Sequence, residues 1–543
     1  MDYSELQLLP LGASNFSSLR NAGQIYVDKT AFIYELASKR EKFFLVRPRR
    51  FGKSLLLSTF ESLFKYGLRD FNGLAIEKLW KEEKSYQVVR LDFSEIKNFS
   101  NAEQFQTLID QYFVDLMQRN HYNSPLKSNN DGLRAFESWL AVQKDNSIVL
   151  LIDEYDAPLT ACLSNHLLFD SVRMKFAELY AGIKSNDRVL RFFFMTGITT
   201  FRKASIFSEL NSFTDLSLMP EFGSLLGFTL AEAKQFFSGY LDKASEILGM
   251  DRKSLLSEMT VNYDGFCFEK TATQQVIAPW SFLKFLSFPS NGFDNYWCQS
   301  AGNPTALQQC LKSHTLEPMD YFKPKFVPIA SLQATAADVE HIDDLVLLTQ
   351  AGYLTIKDVG TDSFLVGYPN KEVSDSMARL YRDQLLSSQS VDQLGAMHLR
   401  SDLHLGNVDS VVQQVNKLFL AIDYKKYPIT DETTCRNHMQ LFLTLGAYVR
   451  TYAELSNALG RSDLEVETSE LHWVFELKFL KNEDKTDDEL NVREAERLLD
   501  TAIDQIKERH YGEADFSGKK LIRVALVFSE KERQFIRWRT ADL

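Results

Sequence analysis

The sequence predicts an α/β protein of several domains, with a parallel-sheet domain over residues 1–220, a helical module with a winged-helix-like hairpin over 221–375, and an α/β domain over 376–543. Strand-like and helix-like segments alternate in the first part, which indicates a parallel sheet. Helical periodicity dominates the middle part. In the last part a hairpin, a long amphipathic helix and a strand follow one another. The 543 residues suit roughly two to four domains of ordinary size.

Four apolar runs are the strand candidates of the first domain. They contain few polar residues, which is typical of parallel strands covered on both faces. They are Lys42–Val46, Gln87–Phe93, Ile148–Ile152 and Val189–Met195. Because open α/β sheets bind ligands outside the carboxyl ends of their strands, we expect a site where these runs end.

The turn after the first strand is typical of a phosphate-binding loop. Gly52-Lys53-Ser54 follows a basic segment and precedes an apolar helix that begins at Leu55. Backbone N–H groups at such a helix start point at an anion, the lysine reaches the outer phosphates and the serine hydroxyl can bind Mg²⁺. Arg47 stands where the common pattern has its first glycine. Alone, the tripeptide equally suits an ordinary basic turn before a helix.

A pair of acids at the end of the third strand completes this candidate site. Asp153 and Glu154 directly follow the apolar run 147–152. A solvated strand end without function is the alternative. Because the loop and the acids each end an apolar strand, in this order along the chain, the two segments together favour a nucleotide site.

The middle module combines helices with a small hairpin. Thr229 is a predicted helix N-cap, and Glu232 completes a capping box. The strand-like pieces Gly352–Ile356 and Ser363–Val366 form the predicted hairpin, and Pro369-Asn370 marks its exit. Helices followed by a small hairpin indicate a winged-helix or lid module.

The last part alternates helices and strands. Its predicted elements are helices Lys371–Ser387 and Gln440–Leu459, hairpin strands Asp463–Thr468 and His472–Phe479, a long helix Leu490–Arg509 and a closing strand Leu521–Phe528. The long helix places the apolar residues Ala495, Leu498, Leu499, Ala502, Ile503 and Ile506 on one face. The acidic stretch Asn482–Glu489 before it is predicted to be a loop.

Polar residues of this last part form a second candidate site. Glu476 and Lys478 are two residues apart on one strand and therefore project from the same face. Asp463 on the paired strand can meet them, and Gln505 can reach them from the helix face. Carboxylates of this kind bind Mg²⁺, which favours phosphodiester cleavage, with the lysine orienting or deprotonating water. The alternative is a simple surface ion pair of Glu476 and Lys478.

Composition and charge exclude several classes of protein. The net charge of −12 argues against a protein that coats polyanions, although a local basic patch can still contact nucleic acid. The five cysteines lie far apart without zinc-ligand spacing, which indicates core thiols in a reducing compartment. No apolar run approaches the length of a membrane span, and the first residues do not resemble a signal peptide. We therefore expect a cytoplasmic protein without a membrane partner.

Motifs along nearly the whole chain resemble those of predicted AAA-ATPase-like proteins that carry a C-terminal nuclease-like domain of the PD-(D/E)XK superfamily. The motifs in the first two parts are 16–20 (FSSLR), 26–30 (YVDKT), 47–54 (RPRRFGKS), 151–156 (LIDEYD), 196–199 (TGIT), 205–211 (SIFSELN), 263–266 (YDGF), 279–281 (PWS) and 367–370 (GYPN). Those in the last part are 460–463 (GRSD), 475–478 (FELK), and Gln505 followed by Tyr511. The chain departs from the family at Ala278, where asparagine is common, and at Ser462, which replaces a proline.

The resemblance implies a P-loop AAA-like domain, a restriction-endonuclease-like C-terminal domain, and ATP with Mg²⁺ as cofactors. Lys53 would contact the β and γ phosphates, Ser54 and Asp153 would hold Mg²⁺, and Glu154 would polarise the attacking water. The same resemblance makes Thr196 a γ-phosphate sensor. Other implied nucleotide contacts are Arg49, Arg50 and Gly52, and either Arg49 or Arg202 could reach the γ-phosphate.

For the C-terminal domain, the resemblance implies a nuclease centre that uses Mg²⁺ or Mn²⁺. Asp463 and Glu476 would be its metal ligands, Lys478 would be catalytic and Gln505 would help to orient the centre. Glu465 lies on the same strand face as Asp463, so either acid could be the ligand.

Three functions remain open at this point. The first is an ATP-regulated nuclease that acts on nucleic acid, with DNA favoured over RNA as the substrate. Its role would be defence against foreign DNA. The second is a switch ATPase whose C-terminal domain binds nucleic acid or a protein without cleaving. The third is a DNA-binding ATPase that uses the winged-helix module. A homo-oligomer, a ring among the options, is compatible with each.

Overall fold

A computed structural model describes residues 6–125, 131–163, 165–201, 213–297, 321, 324–333, 343–386, 394, 396–447, 449–455, 460–482, 488–512 and 518–541. The described residues up to Ser374 form one compact unit, and those from Asp375 onward form a second. The predicted domain limits, at residues 220 and 375, stay predictions.

A five-stranded parallel sheet forms the centre of the first unit. Its strands are β1 (Lys42–Val46), β2 (Gln87–Asp92), β3 (Ile148–Asp153), β4 (Leu190–Gly197) and β5 (Phe213–Asp215), in the order β2-β3-β4-β1-β5. All neighbouring pairs are parallel. The predicted α/β class is confirmed, because the four predicted strands form this sheet. Strand β5 was not predicted, since three residues are too few to give a pattern.

Helices cover this sheet. They are α1 (Phe16–Asn21), α2 (Thr30–Ala37), α3 (Lys53–Tyr66), α4 (Ile76–Leu79), α5 (Ala102–Arg119), α6 (Gly132–Ala141), α7 (Ala157–Ala161) and α8 (His166–Ser185). Strands β3 and β4 are buried along their whole length. Aromatic side chains from α5, α6 and α8, among them Phe113, Phe136 and Phe176, form one core with residues of these strands. This core fixes the strand ends that carry the first candidate site.

The rest of the first unit combines helices with a small antiparallel sheet. Its helices are α9 (Leu230–Phe236), α10 (Ser238–Leu248), α11 (Arg252–Tyr263), α12 (Pro279–Ser287), α13 (Ile329–Gln333) and α14 (Asp344–Ala351). Its strands are β6 (Lys325–Pro328), β7 (Thr355–Val359) and β8 (Ser363–Gly367), in the order β6-β8-β7. The predicted hairpin is present as β7 and β8. Thr229 and Glu232 form the predicted capping box at the start of α9.

The second unit is built on a mixed five-stranded sheet. Its strands are β9 (Arg450–Ala453), β10 (Leu464–Glu467), β11 (Leu471–Leu480), β12 (Lys520–Ser529) and β13 (Gln534–Thr540), in the order β13-β12-β11-β10-β9. The helices after residue 370 are α15 (Lys371–Leu385), α16 (Leu399–Leu405), α17 (Val408–Leu420), α18 (Glu432–Gly446) and α19 (Asp488–Glu508). Strands β11 and β12 are parallel and are connected through α19, whereas the other pairs are antiparallel.

Two element predictions for this unit were wrong. The predicted helix Gln440–Leu459 ends at Gly446, and β9 follows it. Strand β9 pairs with β10, so a tertiary contact overrides the local helical pattern. The predicted closing strand is followed by β13, which pairs with β12. Residues 483–487 of the predicted acidic loop lie outside the described residues.

Two further observations concern the whole chain. Cys162, Cys267 and Cys435 are buried and form no disulfide, whereas Cys298 and Cys310 lie outside the described residues. Within the described ranges, no helix has both the length and the apolar character needed to cross a membrane.

Candidate functional site

The turn between β1 and α3 has the backbone of an anion-binding loop. Gly52 has a φ of 98°, a left-handed conformation that favours glycine, and it immediately precedes the first residue of α3. Arg50 also has a positive φ, 67°. The chain therefore folds back sharply before the helix, and the first N–H groups of α3 face the turn.

Lys53 lies inside this turn. Its Nζ donates hydrogen bonds of 2.9 Å to the carbonyl oxygens of both Arg47 and Pro48. Burial lowers the pKa of Lys53, and the nearby acids, Glu154 first, oppose this effect. The ammonium group is thus held at the base of the loop, where an entering phosphate would meet it.

The carboxylate of Asp153 is fixed by side chains from the two neighbouring strands. Thr196 Oγ1, on β4, donates a hydrogen bond of 2.9 Å to Asp153 Oδ1. Arg90, on β2, donates to Asp153 Oδ2 at 3.3 Å and to the carbonyl oxygen of Ser54 at 3.4 Å. The structure therefore brings Ser54, Asp153 and Thr196 together. No sequence motif marks Arg90, whose role depends on the pairing of β2 with β3.

The residues after Asp153 form a tight turn. Glu154 adopts a φ of 46°, which is unusual for a residue with a side chain. The buried Asp156 accepts hydrogen bonds from the N–H groups of Ile198 and Thr199, just after β4. Burial raises the pKa of Asp156 to about 6, although these hydrogen bonds act in the opposite direction. Asp156 thereby ties the ends of β3 and β4 together.

A cleft of about 480 Å³ opens above the loop, and we call it the nucleotide cleft. Its polar lining includes Arg49, Arg50, Gly52, Lys53, Ser54 and Glu154. Its apolar lining includes Ile25, Val27, Leu226, Phe228, Trp280 and Leu283. The guanidinium of Arg50 lies 4.6 Å from the centre of the Trp280 ring. A cleft with basic and apolar walls suits a phosphorylated ligand with a planar base. Arg202 lies outside the described residues.

Arg47 is not part of the cleft. It is 2% exposed and donates hydrogen bonds to the carbonyl oxygens of Val46, Ser217 and Phe222. Its guanidinium also lies 4.6 Å from the centre of the Phe268 ring. The arginine that replaces the first loop glycine therefore anchors the start of the loop to the segment after β5.

In the second unit, the structure brings Asp463, Glu476 and Lys478 together around one peptide. The N–H of Leu477 donates a hydrogen bond of 2.8 Å to Asp463 Oδ2. Lys478 Nζ donates to Glu476 Oε1 at 3.0 Å and to the carbonyl oxygen of Leu477 at 3.1 Å. Because Glu476 is 3% exposed, this is a buried pair. Strand pairing fixes the arrangement, since Leu464 and Phe475 are partners in the β10–β11 ladder.

The charges of this cluster perturb one another. Burial and then the Asp463 carboxylate raise the pKa of Glu476 to about 7, while Lys478 opposes the change. Burial would lower the pKa of Lys478, but Glu476 and Glu432 outweigh it and raise that pKa. Glu432, in the first turn of α18, is therefore a further acid of this site. The sequence analysis missed it, because only the packing of α18 brings it here.

The oxygen donors of the cluster fit a hard divalent cation. Glu476 Oε2 and Gln505 Oε1 are buried and have no hydrogen-bond partner among the described residues. Val474 packs with Ala502 and Ile506, so both orphaned oxygens lie in the layer between β11 and α19. The described part of the chain has no group of three or more His, Cys, Asp and Glu able to hold a metal. Two carboxylates suit Mg²⁺, which commonly keeps waters and takes substrate phosphate oxygens.

Glu465, the other acid considered at this strand, is engaged elsewhere. Its Oε2 lies 2.7 Å from His472 Nε2, and its Oε1 accepts a hydrogen bond of 2.7 Å from Ser462 Oγ. Glu465 and His472 are both buried. Glu465 thus contacts β11 at His472, whereas Asp463 is the acid that contacts the Leu477 peptide between Glu476 and Lys478.

Comparisons with known proteins agree with both halves of the chain. Residues 10–207 match the family model described as "Predicted AAA-ATPase", and residues 430–538 match that of the "PD-(D/E)XK nuclease superfamily". A protein of Azotobacter chroococcum mcd 1, described as "Uncharacterized protein in vnfD 5'region", is 28% identical over 488 residues. The similarity covers 87% of this chain and 89% of that protein. The two-part architecture predicted from the sequence is confirmed.

Proposed function

Since the chain joins a predicted AAA-ATPase region to a PD-(D/E)XK nuclease superfamily region, we propose that it binds and hydrolyses ATP and uses its nucleotide state to control metal-dependent cleavage of nucleic acid. The proposed substrate is DNA rather than RNA. We propose foreign DNA as the target of a protein that combines an ATPase-like region with a nuclease-like region. Coupling between the two activities is part of the proposal.

The nucleotide half of the proposal uses the loop, the acids after β3 and Thr196. Lys53 would bind the β and γ phosphates, because its ammonium already lies at the base of the loop. Glu154 would orient the attacking water, and Thr196 would meet the γ-phosphate. Ser54 and Asp153 would hold Mg²⁺, which supplies charge neutralisation at the phosphates when bound. The apolar wall of the nucleotide cleft would take the base.

The nuclease half is carried by one observation. A buried glutamate and a lysine form an ion pair opposite a second carboxylate, and one glutamate oxygen is left without a partner. Asp463 and Glu476 would hold Mg²⁺ or Mn²⁺, which lowers the pKa of a bound water and stabilises charge on the phosphate. Lys478 would orient the attacking water or neutralise the phosphate, and Gln505 would help to fix the cluster.

We further propose a cytoplasmic location. ATP, Mg²⁺ and reduced thiols coexist there, and the described cysteines are buried and unpaired with each other.

A cleavage assay of the full chain tests the proposal. Single- and double-stranded DNA would be incubated with Mg²⁺ or Mn²⁺, with and without ATP, and the products followed on gels. Wild type should cleave, Lys478→Ala should not, and Lys53→Ala should lose the effect of ATP. Lys481→Ala is the matched control, because it removes an exposed lysine just after the same strand.

The same assay distinguishes the alternative. If the chain hydrolyses ATP but cuts no DNA or RNA under any of these conditions, the C-terminal domain has a binding role and the protein is a switch ATPase.

A further inference from the structure

An arginine directly after α19 lies close to the Asp463–Glu476 cluster. Arg509 follows the C-terminal residue of α19, and its N–H donates to the carbonyl oxygen of Gln505. Gln505 and Arg509, four residues apart, therefore share one side of the helix end. Arg509 is partly exposed, whereas Gln505 has a buried oxygen without a partner. The helix thus presents a neutral oxygen and a cation at neighbouring positions.

The direction of the Arg509 side chain is set by two neighbours. Its Nη1 donates a hydrogen bond of 3.0 Å to the hydroxyl oxygen of Tyr511, a residue that is 1% exposed. A Cβ added at Gly460 would lie only 2.6 Å from Arg509 Cδ. The glycine therefore leaves room for the arginine stem to pass beside the chain that leads into Asp463. A buried tyrosine and a glycine gap together hold the guanidinium in one place.

The guanidinium lies within the field of the acid cluster. The hydrogen bond that Arg509 donates to Tyr511 is the main cause that raises the pKa of Arg509, and the Glu476 carboxylate adds to it. Burial raises the pKa of Tyr511, with further contributions from Glu476 and Asp463. Arg509 is therefore a further cation near the Glu476 carboxylate, and it is partly exposed.

A partly exposed guanidinium at the edge of a carboxylate cluster suits a phosphate diester. Its planar donors match phosphate oxygens, and it stays charged at every physiological pH. Lys478 is already bonded to Glu476 inside the cluster, so it is less available for a phosphate at the rim. We propose that Arg509 contacts a backbone phosphate of the nucleic acid next to the bond that is cut, with Tyr511 as its positioning residue. The proposal rests on the nuclease function proposed for the same site.

Nucleic-acid binding separates this role from a structural one. Fluorescence anisotropy of labelled single- and double-stranded DNA would be measured with the full chain in Ca²⁺, over a range of salt concentrations. Arg509→Ala should bind roughly tenfold more weakly, equally for different sequences, and its salt slope should fall by about one. Arg509→Lys should bind with an intermediate affinity. The control Arg497→Ala, an exposed arginine of the same helix, should match wild type.

Tyr511→Phe isolates the positioning role. The variant keeps the guanidinium but loses the hydroxyl that holds it, so its affinity should fall less than that of Arg509→Ala. The salt slope should stay that of wild type, because the charge is still present. Thermal unfolding of each variant verifies that the fold is retained.

The outcomes decide the proposal independently of cleavage. If wild type binds DNA and Arg509→Ala does not lower the affinity and the salt slope, or Arg497→Ala lowers them equally, the proposal is wrong. It is also wrong if wild type binds no nucleic acid. If wild type binds but never cleaves, and Arg509→Ala binds more weakly with the smaller slope, the phosphate contact stands and the nuclease function fails.

Discussion

The hydroxyl of Thr196 donates a hydrogen bond of 2.9 Å to Oδ1 of Asp153, and both residues are almost completely buried. They lie at the carboxyl ends of the neighbouring parallel strands β4 and β3. This bond joins the proposed phosphate sensor directly to the proposed magnesium ligand. A substitution of Thr196 should therefore alter the position of the Asp153 carboxylate.

Thr196→Val tests this link, because valine keeps the shape of threonine and removes the hydroxyl. We expect ATP turnover to fall on the order of 100-fold, since the hydroxyl that holds Asp153, the proposed magnesium ligand, is lost. ATP affinity should change far less. Steady-state hydrolysis and nucleotide titration measure the two quantities. Thr196→Ser should restore turnover, and normal turnover in the valine variant would exclude a role for the hydroxyl.

Lys53→Ala should abolish ATP binding or hydrolysis. The loop would lose the ammonium that lies between the Arg47 and Pro48 carbonyl oxygens, and a bound phosphate would lose its charged partner. Isothermal titration with ATP and a phosphate-release assay measure the effect. Lys65→Ala removes a half-exposed lysine from the same helix and should behave as wild type. Equal activity of the two variants would remove the loop from the mechanism.

Arg47→Ala should destabilise the first unit without acting on nucleotide chemistry directly. Three carbonyl oxygens would lose their donor, which costs about 3 kcal/mol of unfolding free energy. Urea unfolding measures the loss, and Arg134→Ala, on an exposed face of α6, is the control. The folded fraction should still bind ATP. Unchanged stability would contradict the anchoring role.

Glu372 should make the stability of the first unit dependent on pH. Burial raises its pKa to about 8, although the hydrogen bond from the Trp297 N–H acts against this. The unfolded carboxyl has a pKa near 4.5, so between these two values the unfolded state releases a proton that the folded state keeps. Stability should therefore fall by a few kcal/mol as the pH rises through this window.

Glu372→Gln provides the test, because glutamine cannot ionise. Urea unfolding between pH 5 and pH 9 should show a flatter dependence in this variant, and greater stability than wild type at the alkaline end. Glu246→Gln, an exposed glutamate of α10, should keep the wild-type slope. Parallel curves for wild type and Glu372→Gln would show that Glu372 is already ionised in the folded state.

The sequence predicted those parts of the fold that depend on local pattern. The apolar runs Ile148–Ile152 and Val189–Met195 predicted two buried strands within two residues of their observed ends. Strands β9 and β13 are recognisable only through their partners, because edge strands carry mixed polar and apolar residues. Only the structure shows that the Arg47 side chain contacts the segment after β5. From the sequence, a basic residue in such a loop equally suggests a phosphate contact.

The same limit applies to the candidate sites. Asp463, Glu476 and Lys478 could be grouped from their order and strand spacing. Glu432 and Arg90 could not, since helix packing in one case and strand order in the other bring them to the sites. Neither residue belongs to a motif with a fixed spacing.

The peptide of Leu477 has one further consequence. Its N–H holds Asp463 and its carbonyl oxygen holds Lys478, while its side chain is 1% exposed in a core with Phe475 and Phe528. Leu477 thus belongs to the acid cluster through its peptide and to the hydrophobic core through its side chain. Melting of the core around Leu477 should dismantle the cluster in the same cooperative step. Heating should therefore not yield a species that has lost this core but keeps an assembled cluster.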